Sequence, residues 1–334
     1  MKKKACIMTV RPFNIPEVFS EEMLEKLSEE FRMLPYICAV DDIFALENEM
    51  RDLEYIFSTW GMPTLSEETI SRCMPKLKAV FYAAGSVQPF ARPFLNCGVK
   101  VFSAWAANAV PVAEVAASEI LLANKGFFRR EVKCLSDWDS NDKERLYPGN
   151  YHTRVGILGA GTIGSLVIEY LSRHDLEILV FDPFLSDERA KTLGVKKASL
   201  HEIFASCNVI SNHLADNEAT KGMIDKSCFD LMGKSAVFVN TGRGAQVVEA
   251  DMIAAMKEYP TRLALLDVTD PDEPPAAKSE LYTLPNIRLT PHVAGSTGNE
   301  TRRLAEYMFE EYRKFDRGEK TKYEVTLKML ETMA

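Results

Sequence analysis

A chain of 334 residues with 46% hydrophobic and 26% charged residues has the makeup of a folded globular protein and room for two domains of ordinary size. Its formal charge of −8 opposes general nucleic-acid binding, which needs a concentrated basic surface, and the short run Lys2, Lys3, Lys4 does not reverse that balance. Apolar runs below the roughly 20 residues of a membrane span, with no long apolar stretch at the N-terminus, point to a cytoplasmic protein that does not enter membranes.

The first hundred residues alternate short β-like runs with helical spacing. ACIMTV (5–10), YICAV (36–40), EYIFS (54–58), KAVFYA (78–83) and VKVFSA (99–104) read as strands. PEVFSEEMLEKLSEEF and SEETISRCM between them carry helical periodicity and acidic starts. Such alternation predicts a parallel sheet covered by helices on both faces. An Ala-rich apolar stretch over 108–132 reads as one long buried helix, and the polar run 136–150 as a loop. From Thr153 a second α/β series begins, with strands at TRVGIL, EILVF, NVISN, SAVFV, LALLDV and NIRLT. Over 296–315, Leu304, Met308, Tyr312 and Phe315 mark one face of a last helix that returns to the first domain. Cys6, Cys38, Cys73, Cys97, Cys134, Cys207 and Cys228 are far apart, with no C-x-x-C pair. Reduced, mostly buried thiols are therefore expected, and a metal site is not.

The second series opens on VGILGAGTIGS. An apolar strand runs into Gly159, Ala160, Gly161, Thr162, Ile163 and Gly164, and Ile163, Leu166, Val167, Tyr170 and Leu171 then form a helical stripe. Glycines here permit a sharp turn, close approach of a pyrophosphate and tight helix-to-strand packing, while the helix start offers free N–H groups to an anion. EILVF leads into Asp182, placed to accept hydrogen bonds from ribose hydroxyls and to repel a 2′-phosphate, which favours NAD over NADP.

Chemistry is expected from two further residues. Arg243 follows the strand SAVFV between Gly242 and Gly244, and a planar guanidinium can grip a carboxylate through several donors at fixed geometry. His292, in TPH, carries the side chain best suited to proton exchange near neutral pH.

AAGSVQPF (83–90), NAVPVAE (108–114), NTGRG (240–244), LDVTDPDEP (266–274) and TPHVAGST (290–297), with the glycine turn, resemble the D-isomer-specific 2-hydroxyacid dehydrogenases. The resemblance implies two doubly wound parallel-sheet α/β domains, a Rossmann dinucleotide-binding domain inserted in a flavodoxin-like substrate domain. The corresponding boundaries are 1–107 and 297–334 for the substrate domain and 108–296 for the NAD domain. It also implies that Arg243 binds substrate and polarises its carbonyl, that His292 is the general acid/base, and that a carboxylate supports it. Counting back from Pro274 assigns that carboxylate to Glu273, and counting forward from Asp267 assigns it to Asp272. His213, Thr241 and Asp267 resemble cofactor contacts, as do Gly159, Gly161, Thr162, Ile163, Gly164 and Asp182. Ala84, Gly85 and Ser86 resemble the loop that holds the substrate carboxylate. The activity implied is hydride exchange between NAD(H) and a small 2-keto or D-2-hydroxy acid, by a homodimer. The alternative is an NAD(H)-sensing regulatory protein of the same fold, which would need no Arg243, His292 and acid together.

Overall fold

The computed structural model describes residues 2–129 and 146–331. It divides into two compact units, one built from residues 1–108 and 296–334, the other from 109–295. Cys134, much of the expected loop 136–150 and the end of the expected long helix lie outside the described residues.

The first unit has a six-stranded sheet. Its strands are β1 (Lys3–Met8), β2 (Phe31–Met33), β3 (Tyr55–Ser58), β4 (Ala79–Tyr82), β5 (Lys100–Ser103) and β13 (Glu324–Val325), in the spatial order β13-β5-β4-β3-β1-β2. β1 to β5 are parallel, in the flavodoxin-like order, and β13 joins β5 antiparallel at the edge. Side chains alternate between two cores. Cys6 and Met8 face one with Ile56 and Val80, while Ala5 and Ile7 face the other with Phe57 and Phe81. Against the second core lies the helix Thr301–Asp316, whose Leu304, Met308 and Tyr312 are buried. Each such side chain contributes about 1.5–3 kcal/mol of transfer free energy.

The segment 36–40 departs from the expected strand. It makes a single bridge, Met8 to Ile37, because the Asp42 carboxylate accepts the N–H groups of Cys38 and Ala39, both at 2.8 Å, and so caps the helix Val40–Ala45. The edge beside β1 goes to Phe31–Met33, of which Phe31 was expected to end a helix; that helix stops at Glu30.

In the second unit, seven parallel strands follow the order β12-β11-β10-β9-β6-β7-β8. They are β6 (Arg154–Leu158), β7 (Glu177–Phe181), β8 (Lys196–Lys197), β9 (Val209–Asn212), β10 (Val237–Asn240), β11 (Leu263–Leu266) and β12 (Ile287–Leu289). The order reverses between β6 and β9, the switch point at which doubly wound sheets bind ligands. Helix Trp105–Asn124 is 20 residues long and, contrary to the short apolar runs read from sequence, apolar enough to cross a membrane by length and composition. Its Ala113, Ala116, Ile120 and Ala123 instead pack with Val155, Ile157 and Leu265 in the unit's core.

Candidate active site

Six strands of the second sheet end in residues singled out by the sequence, and because all are parallel these ends share one edge. After β6 the chain enters the glycine turn. Gly159 has φ +88, and a Cβ there would meet the His213 carbonyl oxygen at 2.7 Å; a Cβ on Gly164 would stand 2.0 Å from the Gly159 carbonyl oxygen. Gly161 faces open space. It also precedes the helix Thr162–Leu171 and supplies no side-chain cap, whereas helices beginning after Ser66, Ser186 and Ser199 are capped by those hydroxyls. The first N–H groups of this helix, Thr162 and Ile163 among them, are thus left for an anion rather than for a side chain.

Asp182, just past β7, is half-buried and does more than the sequence suggests. Its Oδ2 accepts the Ala160 N–H and its Oδ1 the Phe184 N–H, each at 2.8 Å, so the acid ties the glycine turn to the neighbouring strand. The second lone pair of each oxygen remains for ribose hydroxyls.

Beyond β9, His213 is buried, with Nε2 2.9 Å from Ser211 Oγ and Nδ1 without a partner. Burial pulls its pKa down to about 4, so the ring is neutral near pH 7. Thr241 Oγ1, after β10, is likewise buried and unpartnered. Two orphaned polar atoms, an uncapped helix start and an open glycine fit a dinucleotide whose polar groups would complete these valences.

Arg243 is half-buried, and its Nη1 donates to the Gly242 carbonyl at 2.8 Å. The turn carrying it rests on three buried amides that its sequence neighbourhood did not reveal. Asn212 Nδ2 donates to Asn240 Oδ1 at 3.0 Å and to Gln246 Oε1 at 2.5 Å, while Asn240 Nδ2 donates to the Arg243 carbonyl at 3.2 Å. The available signal was an Asn closing each of two buried strands. Gly244 lets this turn lie against the next one, since a Cβ there would stand 2.2 Å from the Thr269 carbonyl carbon.

That next turn, following β11, carries Glu273. Glu273 Oε1 lies 2.5 Å from His292 Nδ1, and both side chains are roughly half exposed. Asp272 acts elsewhere: with burial and Asp270 it raises the pKa of Glu249. His292 follows β12 at φ +54, a left-handed backbone unusual for a side chain with a Cβ. Its loop is held by Asp267, which is buried at the end of β11. Asp267 Oδ1 accepts from Thr290 Oγ1 (2.6 Å) and Val293 N–H (2.8 Å), and Oδ2 from Ala294 N–H (2.9 Å). Asp267 therefore serves the imidazole's loop, a role additional to the cofactor contact expected of it. Glu119, which the sequence reading left without a role, lies within the electrostatic reach of Asp267; burial first, and then that charge, push it up to about 7.

Ala84, Gly85 and Ser86 belong to the other unit, just beyond β4, where Ser103 Oγ lies 3.0 Å from the Ala84 and 2.5 Å from the Gly85 carbonyl oxygen. Trp105 packs edge-on against Tyr323, and Asn108 Oδ1 accepts the Ser296 N–H, so both have structural work in that unit.

The NAD-binding domain model of the D-isomer specific 2-hydroxyacid dehydrogenases matches residues 119–294. YoaD of Bacillus subtilis, which bears a 2-hydroxyacid dehydrogenase name, is 30% identical over 314 residues, covering 89% of this chain and 88% of YoaD. D-3-phosphoglycerate dehydrogenase of Archaeoglobus fulgidus is 36% identical over 143 residues, 43% of this chain but only 27% of that longer protein. Rhodotorula graminis D-mandelate dehydrogenase shares the fold with a TM-score of 0.81 at 18% identity, over 97% of this chain and 98% of its own. The chain belongs to the D-isomer specific 2-hydroxyacid dehydrogenase family. The matched region is that family's NAD-binding domain, so the cofactor is NAD.

Proposed function

We propose that the protein interconverts a small 2-keto acid and its D-2-hydroxy acid. The observation that carries this reading is the Glu273–His292 pair, set after β11 and β12, with Arg243 after β10. Adjacent strands are about 4.8 Å apart, so the ends of β10 and β12 are separated by roughly 10 Å, room for a three-carbon acid between guanidinium and imidazole.

NADH, when bound, supplies the hydride that reduces the keto carbon. Arg243 binds the substrate carboxylate and stabilises the charge that builds on the carbonyl oxygen. With Nδ1 engaged by Glu273, His292 presents Nε2 to that oxygen and donates the proton that completes the hydroxyl. The imidazole then regains a proton from solvent, to which it is open. The carboxylate of Glu273 fixes the ring's orientation. Ala84, Gly85 and Ser86 are read as further holders of the substrate carboxylate, and Asp182 as the group that selects NAD over NADP. Exposed Leu122, in the last turn of the long helix, and Phe127, just past it, support a homodimer, to be checked by light scattering.

The test is NADH oxidation against a panel of 2-keto acids, with stereochemical analysis of the product. His292→Asn is expected to lower kcat by about 10²–10⁴ while leaving NADH affinity unchanged. A comparable loss of NADH affinity would remove His292 from the proton-transfer step.

A further inference from the structure

We propose that Glu119 is a positioning residue which, as a neutral acid, lets Asp267 hold the His292 loop in place. This rests on the reading of His292 as the proton donor. The helix Trp105–Asn124 sets Glu119 beside Ala116 and Ile120 of an apolar cluster, and its Oε2 is buried with no hydrogen-bond partner. Leu265 of β11 packs in the same cluster, and Asp267, two residues further along the same strand face, takes two backbone N–H groups and a hydroxyl.

Two acids in electrostatic reach of each other in such surroundings do not both ionise cheaply, and the one supplied with donors is the one that carries the charge. Asp267 is therefore the carboxylate, and the proton resides on Glu119. Among the described residues, Asp267 is the charged group that acts on Glu119. Around Asp267 lie the Thr290 hydroxyl and the Val293 and Ala294 amides, none of which titrates near neutrality, while Glu273 and His292 are paired with each other. When Glu119 releases its proton to solvent, the second negative charge pushes Asp267 off its donors. The loop that presents the imidazole then loses its anchor.

Glu119→Gln keeps the shape and removes the ionisation. The ratio of variant to wild-type kcat/KM is expected to rise about tenfold between pH 6 and pH 8, as for an acid titrating near neutrality. Any pH dependence shared by the two proteins cancels in the ratio. Infrared spectroscopy of the apo protein gives a second readout: a neutral carboxylic-acid stretch present at pH 6, lost by pH 8, and missing from Glu119→Gln. Glu119→Leu repeats both measurements should the Gln variant fold poorly. A ratio independent of pH overturns the proposal, and so does absence of the infrared band from the wild type at pH 6. Should the wild type oxidise NADH with no 2-keto acid, the functional reading fails instead, and the same ratio taken from NADH dissociation constants decides the role of Glu119.

Discussion

Two acids stand one residue apart in the turn after β11, and only Glu273 reaches the imidazole. Glu273→Gln is accordingly expected to lower kcat by about tenfold or more, whereas Asp272→Asn stays near the wild-type rate; equal losses in steady-state assays would mean that the pairing is not functional. Asp182 presents a compound case. Removing its charge should reduce the preference for NAD over NADP by roughly tenfold, about 1.4 kcal/mol. Because it also accepts the Ala160 and Phe184 amides, Asp182→Ala should lose affinity for both cofactors, which fluorescence titration with each would show. The residue types at these positions are legible in the sequence because each chemical task admits few side chains. What Asp267 and Glu119 do is not legible: Asp267 binds groups 23 to 27 positions further on, and Glu119 meets its charge from a distant part of the chain, where local pattern carries no information.

At the scale of elements, the strand–turn–helix unit around Gly159 depends on backbone passing within contact distance of backbone. Gly164→Ala places a methyl 2.0 Å from the Gly159 carbonyl oxygen, and since the obstacle is main chain it cannot swing aside. A loss of several kcal/mol, ~3 or more, is expected, read as a fall in melting temperature in the absence of NAD. Gly161→Ala, with open space around it, should fold normally and weaken cofactor binding instead. Long central strands such as β6, β7 and β10 stand out in sequence as unbroken apolar runs, since both faces are covered. β2, β8 and β13 do not. Each holds two or three residues at a sheet edge, and β8 is Lys196 and Lys197, a pair that reads as solvated loop. The misread segment 36–40 shows the same limit: a β-rich composition loses to one carboxylate, Asp42, that captures the amides a strand would need.

For the whole molecule, two buried titratable groups set opposite slopes of stability with pH. His213, neutral in the fold and lowered from 6.5 to about 4, contributes stability that is complete above pH 6.5 and lost as the unfolded chain gains a proton on acidification. By pH 4 that loss is on the order of 3 kcal/mol. Glu119 acts in reverse: raised from 4.5 to about 7, it lets the unfolded chain release a proton first, so stability falls as pH rises through that window. Thermal melts of wild type, His213→Gln and Glu119→Gln between pH 4 and 8 should therefore diverge on opposite sides, the first variant flattening the acid limb and the second the alkaline one. Both groups lie in the unit of residues 109–295, so the unit that holds NAD carries this proton sensitivity.

The left-handed backbone at His292 gives the chemistry and the architecture conflicting preferences for one position. Glycine would occupy it without strain, so His292→Gly should melt no lower than the wild type while losing turnover. It would also vacate a solvent-open seat facing Glu273, and free imidazole added to the assay is expected to settle there and restore part of the lost rate.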